Sequence, residues 1–561
     1  MKKIILCISL LTAIQAWPLS CTPPVTLIGP GQHASEFQIV MNEEGEARAF
    51  WISTDLDSED DTVIASTMNA EKKWSSAAIS EPLKEIELLE SFIDAQGNSF
   101  AFWESGEEDS EGEEVRFYHF AKQEKDQVWS PAVNVSGPDN KLKYSSCFLD
   151  SQGNALLFGK IEIPGSQEKW KKTYSIVAMN YLHKNGEKKR TEISKVEHSG
   201  YIGYLASERL IRNKEGKTFA CWEEFVFDNV PGGGYQCKKL LKGSWLQHDS
   251  SWSDPAIIYK TTDRTDFFMN IKPVMNSNGD VAIIWEKNNS ETGPLKTIQA
   301  LTCFNGQWSE PFSVAASAKY SDNVTIIMND AGDIAASWKR SEKGKEVLYV
   351  ADKPFGQPWS SPVALSSPGK DVEKVRMLMD AQGNISVVWI SKAGKKYVAY
   401  VADKSVGKPW SAPFALPDPA QDIDNFKLSM DAKGNALVVW TVIEGRTEVP
   451  YAMYKPVNQD WASPVRLTDG TNNCDDFKVK VNDLGYFVVL WHEKQNKQYS
   501  IHGAALSTAT QEWSYAEISP QGQNCRNFTL QFNKKGQGIV GWRAEDDDDV
   551  VSVYVAELNV N

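Results

Sequence analysis

The sequence has a deficit of positive charge and no long apolar segment in its interior. Its 561 residues include 59 Lys plus Arg against 74 Asp plus Glu, a net charge of −15. Proteins that neutralise nucleic-acid phosphates normally show the opposite balance, so nucleic acid is excluded as a general partner. Beyond the N-terminal segment, no stretch reaches the roughly 20 apolar residues that a membrane helix needs. We therefore expect no transmembrane helix in the mature chain.

The sequence also lacks the familiar motifs of catalytic and metal sites. Its seven histidines are scattered without metal-ligand spacing, and neither G-x-S-x-G nor a phosphate-binding glycine loop is present. The acidic run from Asp55 to Asp61 loosely resembles a calcium loop but has no glycine at its sixth position. The sequence therefore predicts no catalytic residue, no metal and no cofactor, with calcium at this run as the one alternative.

The N-terminal segment has the features of an export signal. Lys2 and Lys3 precede an apolar run over 4–14, and a small-residue stretch ends at Ala16. This run is too short to span a bilayer and is typical of a signal peptide over residues 1–16. We expect cleavage after Ala16 and a periplasmic, outer-surface or extracellular protein. A lipid anchor at Cys21 is the alternative, although Pro18 stands where such signals usually have leucine.

Removal of Cys7 with the signal leaves seven cysteines, so at least one is unpaired or modified in an exported protein. Cys221 and Cys237 flank the glycine-rich segment 229–234 and could form a disulfide across a hairpin. Cys474 and Cys525 hold equivalent repeat positions and could bridge neighbouring repeats. The alternative is that most of the cysteines are small buried apolar residues.

The dominant feature is a unit that occurs ten times. Each copy has Asp or Asn, then Gly three positions later, then an apolar run that in nine copies ends in Trp six residues after the Gly. The glycines are Gly45, Gly97, Gly153, Gly216, Gly279, Gly332, Gly383, Gly434, Gly485 and Gly536. Asp or Asn accepts bonds from nearby amides, and Gly adopts a left-handed backbone, so the unit predicts a tight turn between two strands.

The rest of each unit predicts two further strands. The run before the Trp is apolar on both faces, which indicates a strand covered above and below by other sheets. About 20 residues later Trp is followed by Pro three positions on, as at Trp252, Trp308, Trp359, Trp410 and Trp461. Proline suits the start of an outer edge strand. We assign the recurring Trp residues to core packing rather than to sugar binding.

Four antiparallel strands per unit of about 51 residues, stacked face to face, predict an all-β fold, a β-propeller of ten four-stranded repeats. Residues 23–27 match an outer strand with no unit before it, and the tenth unit lacks its outer strand. The N-terminal strand can therefore close a ring. Two rings of five repeats, over 22–315 and 316–561, are favoured, and one continuous ring over 22–561 is the alternative.

The pattern D-x-x-G-N-x-x-x-V-W followed by W-S-x-P resembles a repeat of exported bacterial β-propeller proteins, and the resemblance covers nearly the whole mature chain. It implies a non-enzymatic binding or scaffold protein of the cell envelope that recognises a protein or glycan through loops of a propeller face. The alternative is a sialidase-like or other carbohydrate-active enzyme, a glycoside hydrolase or lyase, that uses the axial cleft. The sialidase box S-x-D-x-G-x-T-W does not match the spacing here.

Two groups of residues are candidates for recognition. Aromatic residues in the long segments of repeats 3 and 4 are predicted to bind ligand: Trp170, Tyr201, Tyr204, Tyr235 and Trp245. Loops between the second and third strands of repeats 1, 2 and 10 are acidic, through Asp55, Asp57, Asp60, Asp61, Glu107, Glu108, Asp109, Asp546, Asp547, Asp548 and Asp549. In one ring these repeats are neighbours and would attract a basic partner or cations. The alternative is that the loops only aid solubility.

Overall fold

The protein is built from β-strands arranged as the blades of one propeller. The structure is a computed structural model that describes residues 19–28, 33–55, 57–108, 114–135, 142–149, 155–163, 173–182, 187–197, 205–229, 235–261, 266–289, 295–319, 321–342, 344–368, 371–416, 423–520, 523–545 and 551–560. Nine of the ten antiparallel sheets place their strands in chain order from the axis outwards, the tenth takes its outer strands from the N-terminal segment, and short additional strands extend blades 5 and 10. Within the described ranges, no helix is long and apolar enough to cross a membrane.

Equivalent strands recur in all ten blades. The inner strands are His33–Met41, Glu87–Ile93, Leu142–Leu149, Leu205–Arg212, Asp266–Met275, Ser321–Met328, Val372–Met379, Ile423–Met430, Asn473–Val481 and Asn524–Phe532. The second strands are Ala47–Thr54, Ser99–Glu108, Ala155–Ile163, Thr218–Asn229, Val281–Asn289, Ile334–Glu342, Ile385–Ala393, Ala436–Glu444, Tyr486–Gln495 and Gly538–Glu545.

The third strands are Asp61–Met68, Glu114–Gln123, Thr173–Leu182, Tyr235–Trp245, Leu295–Phe304, Lys345–Lys353, Lys396–Lys404, Thr447–Lys455, Gln498–Ser507 and Val551–Asn559. The outer strands of blades 1 to 9 are Trp74–Ala78, Val133–Asn134, Glu187–Glu197, Ala256–Lys260, Phe312–Lys319 (with Gln307–Trp308), Val363–Ala364, Phe414–Ala415, Val465–Arg466 and Trp513–Glu517. The outer strands of blade 10 are Val25–Ile28 and Ser20–Cys21. We call the face with the connections between second and third strands the loop face, and the opposite one the turn face.

The predicted turns join the inner and second strands on the turn face. In blade 1 the Gly45 N–H donates to the Asn42 carbonyl at 3.1 Å, and Gly45 has a φ of 88°. The Asn42 side-chain oxygen accepts from the N–H groups of Glu44 and Glu46. Its Nδ2 also donates to the carbonyl of Asp94 in the next blade, at 3.1 Å. The turn therefore links neighbouring blades in addition to reversing the chain.

The recurring Trp residues of the second strands are buried, as predicted. Trp51, Trp103, Trp222, Trp285, Trp338, Trp389, Trp440, Trp491 and Trp542 are each at most 3% exposed. In several blades the indole also lies over an aromatic ring of the third strand, as Trp440 does over Tyr451 with centroids 5.9 Å apart. The side chains lie between blades, so these aromatic residues serve packing.

The N-terminal strand completes blade 10 and closes the ring. Val25 and Thr26 pair antiparallel with Val555 and Tyr554 of the third strand of that blade. Blade 10 packs in turn on blade 1, where Ile39 shares a buried cluster with Val555. The predicted closure by residues 23–27 is confirmed.

The favoured expectation of two rings is wrong, because blades 5 and 6 pack together as the other blades do. Ile284 of blade 5 and Trp338 of blade 6 belong to one buried cluster. The outer strand of blade 5, Phe312–Lys319, runs without a break through the position where two rings would separate. The ten blades therefore form one ring.

The structure corrects the proposed disulfides. Cys221 is a free, buried thiol and pairs in register with Gly243, whereas Cys237 pairs with Phe227. The two cysteines are therefore displaced along the hairpin and are not cross-strand neighbours. Cys474 and Cys525 are also free and buried.

Candidate ligand-binding site at the ring axis

Each inner strand carries a β-bulge near the end that faces the loop side. The pairing register shifts there in all ten blades. Several bulges contain a residue with positive φ, including Ser207 at 54°, Asn270 at 54° and Asn323 at 51°. Bulges redirect side chains and end regular pairing. The bulges therefore form a collar of irregular strand pairing around the loop-face mouth of the axis.

Beside this collar, one side of the axis is cationic. The position four residues before the turn Asp or Asn holds a basic residue in five blades: Arg209, Lys272, Arg376, Lys427 and Lys478. Arg209, Lys272, Arg376 and Lys427 have exposed side chains. Because they occupy one register position on inner strands, they lie at one depth along the axis.

A cavity of about 400 Å³ opens among these residues on blades 5 to 8. Five cationic side chains line it: Lys272, Lys339, Lys374, Arg376 and Lys427. Among the described residues, Glu373 is the one carboxylate in its lining, and Asn323, Thr325 and Asn425 add uncharged polar groups. We call it the axial pocket. Its size suits a small ligand or the end group of a larger one.

Two lysines, Lys339 and Lys478, show how this basic surface is held in place and how far it continues. Lys339 is 7% exposed, and its Nζ lies 2.6 Å from Glu346 Oε2 and 2.9 Å from the Val372 carbonyl. Lys339 is therefore held in place within the wall. On blade 9, burial lowers the pKa of Lys478. The nearby Asp476 carboxylate opposes this shift, and the cations Lys427 and Lys480 add to it. The basic surface thus continues beyond the axial pocket.

Buried acids occupy the neighbouring blades at the position equivalent to Lys339, directly after the core Trp. In blade 5, Glu286 is fully buried and neutralised by Lys296, whose Nζ lies 2.7 Å away. In blade 4, Glu223 is 3% exposed, and Ser207 Oγ lies 3.5 Å from its Oε2. Burial raises the pKa of Glu223 to about 7. The wall beside the bulges therefore changes from acidic in blades 4 and 5 to basic in blade 6.

The aromatic residues predicted from the sequence do not form one site. Tyr235 and Trp245 are the two ends of the same strand, which places their backbones roughly 34 Å apart at about 3.4 Å per residue. Trp245 packs on Phe219 with ring centroids 4.7 Å apart, and Trp245 does not line the axial pocket. Trp170, Tyr201 and Tyr204 lie outside the described residues.

Three of the acidic side chains of blade 1, those of Asp55, Asp60 and Asp61, have local partners, and Asp57 is exposed. Asp55 accepts bonds from the N–H groups of Asp57 and Ser58, which lower its pKa. Asp60 pairs with Lys84 at 2.8 Å, and Asp61 accepts from the Thr54 hydroxyl at 2.7 Å. No group of three potential metal ligands occurs in the described part of the chain.

Of the remaining acidic residues, Glu107 is exposed and Glu108 ends the second strand of blade 2. Asp109 and the run Asp546, Asp547, Asp548 and Asp549 lie outside the described residues. Because the ring is single, blades 10, 1 and 2 are consecutive. The described acidic residues of blades 1 and 2 therefore lie away from the axial pocket, which is lined by residues of blades 5 to 8.

The axial pocket was not predicted from the sequence, although the sequence contains a signal for it. Arg376, Lys427 and Lys478 recur at intervals of 51 residues, which is the repeat length. Only the bulge and the single ring show that this position faces a shared cavity.

Comparison with known proteins gives no family. No protein-family model matches the chain, and no curated protein matches it significantly. Among solved structures it is similar to an ulvan-degrading polysaccharide lyase, at 11% identity over 68% of this chain and 98% of that one, with a TM-score of 0.35. It is also similar to a Dyadobacter fermentans protein of unknown function (10% identity, 53% and 96% covered, TM-score 0.29). A Penicillium chrysogenum α-L-arabinanase is a further match (12%, 51% and 92%, TM-score 0.27). Similarities this low carry no conclusion about activity or ligand.

Proposed function

We propose that the protein is an exported binding protein that holds an acidic saccharide in the axial pocket. The observation that carries this proposal is a single cavity lined by five cationic side chains and one carboxylate, in which Lys339 is already paired with Glu346 whereas Lys272, Arg376 and Lys427 are exposed. An anionic ligand relieves the repulsion between those cations, and Arg376 can bind a carboxylate or sulfate through two parallel bonds. Asn323, Thr325 and Asn425 can bond to the hydroxyl groups beside the charge.

The experiment is titration calorimetry with glucuronic acid and glucose 6-sulfate, with glucose as the neutral control and inorganic sulfate and phosphate as a separate arm. We expect the acidic sugars to bind more tightly than glucose or the inorganic ions, and less tightly as salt rises, because exposed charges are screened. Binding of the inorganic ions alone would reject the saccharide and leave only an anion site.

The matched variants are Lys427→Gln in the axial pocket and Lys395→Gln, at an exposed lysine that does not line the pocket. Loss of one hydrogen bond to a charged group costs about 1.5–3 kcal/mol, so Lys427→Gln should weaken binding by about 10- to 100-fold. Lys395→Gln should change it less than about twofold. Equal effects of the two variants would contradict the proposal.

An enzyme acting in the axial cleft is the second candidate. Glu223 favours it, because a buried carboxyl with a pKa of about 7 suits proton transfer near neutral pH. Binding is the better supported function, since Glu286, the equivalent acid of the next blade, is tied to Lys296. Incubation with acidic oligosaccharides distinguishes the two: an enzyme releases new reducing ends, and Glu223→Gln abolishes that release.

A further inference from the structure

A second candidate site lies on the turn face, between blades 7 and 8. Two adjoining cavities, of about 870 and 500 Å³, share Asp403, Ser411, Lys455 and Asp460 as lining residues. One reaches inwards to the turn residues of blade 7, and the other reaches outwards to Phe414 of the outer strand. Together they form one groove across the face opposite the axial pocket, which we call the turn-face groove.

The floor of the groove is a carboxylate in a fixed position. Asp403 Oδ1 accepts from Ser386 Oγ at 2.5 Å and lies 3.2 Å from Lys455 Nζ. Its Oδ2 accepts from the Trp461 indole N–H at 2.8 Å, and its own N–H donates to Ser411. These four contacts hold the carboxylate and the indole before any ligand arrives, which reduces the entropy that binding costs.

This arrangement differs from that of the preceding pair of blades. Between blades 6 and 7, Lys404 pairs with Asp352 at 3.0 Å in the equivalent way. The equivalent indole nitrogen, on Trp410, is buried without a hydrogen-bond partner. The hydrogen bond from the Trp461 indole to Asp403 is therefore present between blades 7 and 8 but has no equivalent between blades 6 and 7.

The walls of the groove mix polar and apolar groups without a dominant charge. Gln382, Asn384, Asn458 and Gln459 contribute amides, and Lys408 and Asp460 contribute opposite charges. On the apolar side, Val406 is 56% exposed and Phe414 is 37% exposed. Amides can donate to and accept from the hydroxyl groups of a sugar, and carboxylates can accept from them, whereas aromatic and aliphatic faces pack on the C–H groups of the sugar ring. This combination fits a neutral sugar chain.

We propose that the turn-face groove binds a neutral oligosaccharide. Its volume exceeds that of the axial pocket, and it is open along the face, so it accommodates several sugar units of a chain. This site is independent of the acidic-saccharide site, because the two share no residue and lie on opposite faces.

The test uses cellohexaose, laminarihexaose, mannohexaose, xylohexaose and maltohexaose as probes, with binding to the full mature chain followed by titration calorimetry. Gln459→Ala and Phe414→Ala remove an amide and an aromatic face from the groove. Gln357→Ala and Val363→Ala are the matched controls, because they hold the same positions in blade 6 and do not line the groove. Circular dichroism verifies that each variant is folded.

We expect at least one hexaose to bind, and each groove variant to weaken that binding by about tenfold or more. The controls should stay within about twofold, and the affinity should be insensitive to salt because the ligand is uncharged. Lys427→Gln should leave hexaose binding unchanged, so failure of the axial pocket and failure of this groove are separate results. No binding of any of the five probes, or equal effects of groove and control variants, would overturn the proposal.

Discussion

Ring closure can be tested at one leucine near the N-terminus. Leu19 is 3% exposed and packs in a buried cluster with Leu490 and Ile518 of blade 9 and Leu558 of blade 10. Its N–H also donates to Ser514 Oγ at 3.0 Å. Leu19 therefore fastens the N-terminal segment to two blades at once, and Leu19→Ala removes that attachment without touching the paired strand that follows.

The expected cost follows from its burial. Buried Leu→Ala changes destabilise by about 2–5 kcal/mol, and the lower end applies where the surroundings can collapse. Leu19 precedes the first paired strand, Ser20–Cys21, and is held by packing and one hydrogen bond, so we expect the lower part of this range, about 2–3 kcal/mol. If this loss falls on local opening of the closing strand, the amides of the strand that it covers exchange about 30- to 140-fold faster, since 1.4 kcal/mol corresponds to a factor of ten.

The assay is hydrogen–deuterium exchange of the mature protein, read by mass spectrometry on peptides from Val551–Asn559, the strand to which the N-terminal segment pairs. Val25→Ala is the control, because Val25 lies in the same segment but is 42% exposed. The control should accelerate exchange less than about threefold. Equal exchange in the two variants would refute the argument that this segment closes the ring through buried packing.

The same leucine bears on how the chain is processed. Lipidation at Cys21 would make Cys21 the first residue and remove Leu19 together with its contacts in the core. We therefore propose cleavage after Ala16, which retains Leu19. Mass spectrometry of the exported protein should find Trp17 as the first residue, whereas a diacylglycerol thioether on Cys21 would contradict the proposal.

Three further predictions concern buried groups. Because burial raises the pKa of Glu223 from 4.5 to about 7, the folded protein binds more protons than the unfolded chain between these values. Stability should then fall by up to roughly 3 kcal/mol as pH rises from 4.5 to 7 and stay level above. Glu223→Gln should remove that fall in urea unfolding measured at pH 5 and pH 8, and exposed Glu215→Gln should not. Gly434→Ala should cost about 1–3 kcal/mol, because its φ is +93° and the added Cβ would meet Asp380. Gly407 also has a positive φ, but a Cβ there would meet no atom within 4 Å. Gly407→Ala should therefore destabilise the protein less than Gly434→Ala in urea unfolding. Burial raises the pKa of four thiols to about 11 or 12, so iodoacetamide at pH 8 should modify them only after unfolding. They are Cys221, Cys303, Cys474 and Cys525.

The blade itself could be predicted from the sequence because its causes are local. A turn such as that at Gly45 depends on one side-chain acceptor and one left-handed residue, and both recur at fixed spacing. The burial of Trp440 follows from a strand that is apolar on both faces. The pairing of residues 23–27 with the last blade follows from counting strands at the two ends. Each inference needed only one repeat or a comparison of two.

The number of rings and the axial pocket could not be predicted, because both depend on relations between distant blades. Blade 5 packs on blade 6 in one ring of ten and would pack on blade 1 in a ring of five. The choice depends on the small angles between successive sheets, which add up around the ring, and no single residue determines them. The side-chain direction at Arg376 or Lys427 depends on a bulge, which changes the face that alternation alone would assign. The long segments of repeats 3 and 4, over 165–200 and 228–263, are described only over 173–182, 187–197, 228–229 and 235–261.

The repeat offers a way to separate packing from function within one chain. Positions that the fold requires are the same in nearly every blade, as the core Trp is, because each blade meets its neighbours in the same way. A ligand that occupies the axis meets each blade differently, so its contacts must come from positions at which the blades differ. Four residues before the turn, the chain has Gln38, Glu90, Thr325 and Thr529 in some blades and Lys or Arg in others. The basic residues at that position cluster on one side of the ring, which packing between blades does not require. This asymmetry is the physical reason for assigning binding to the axial pocket.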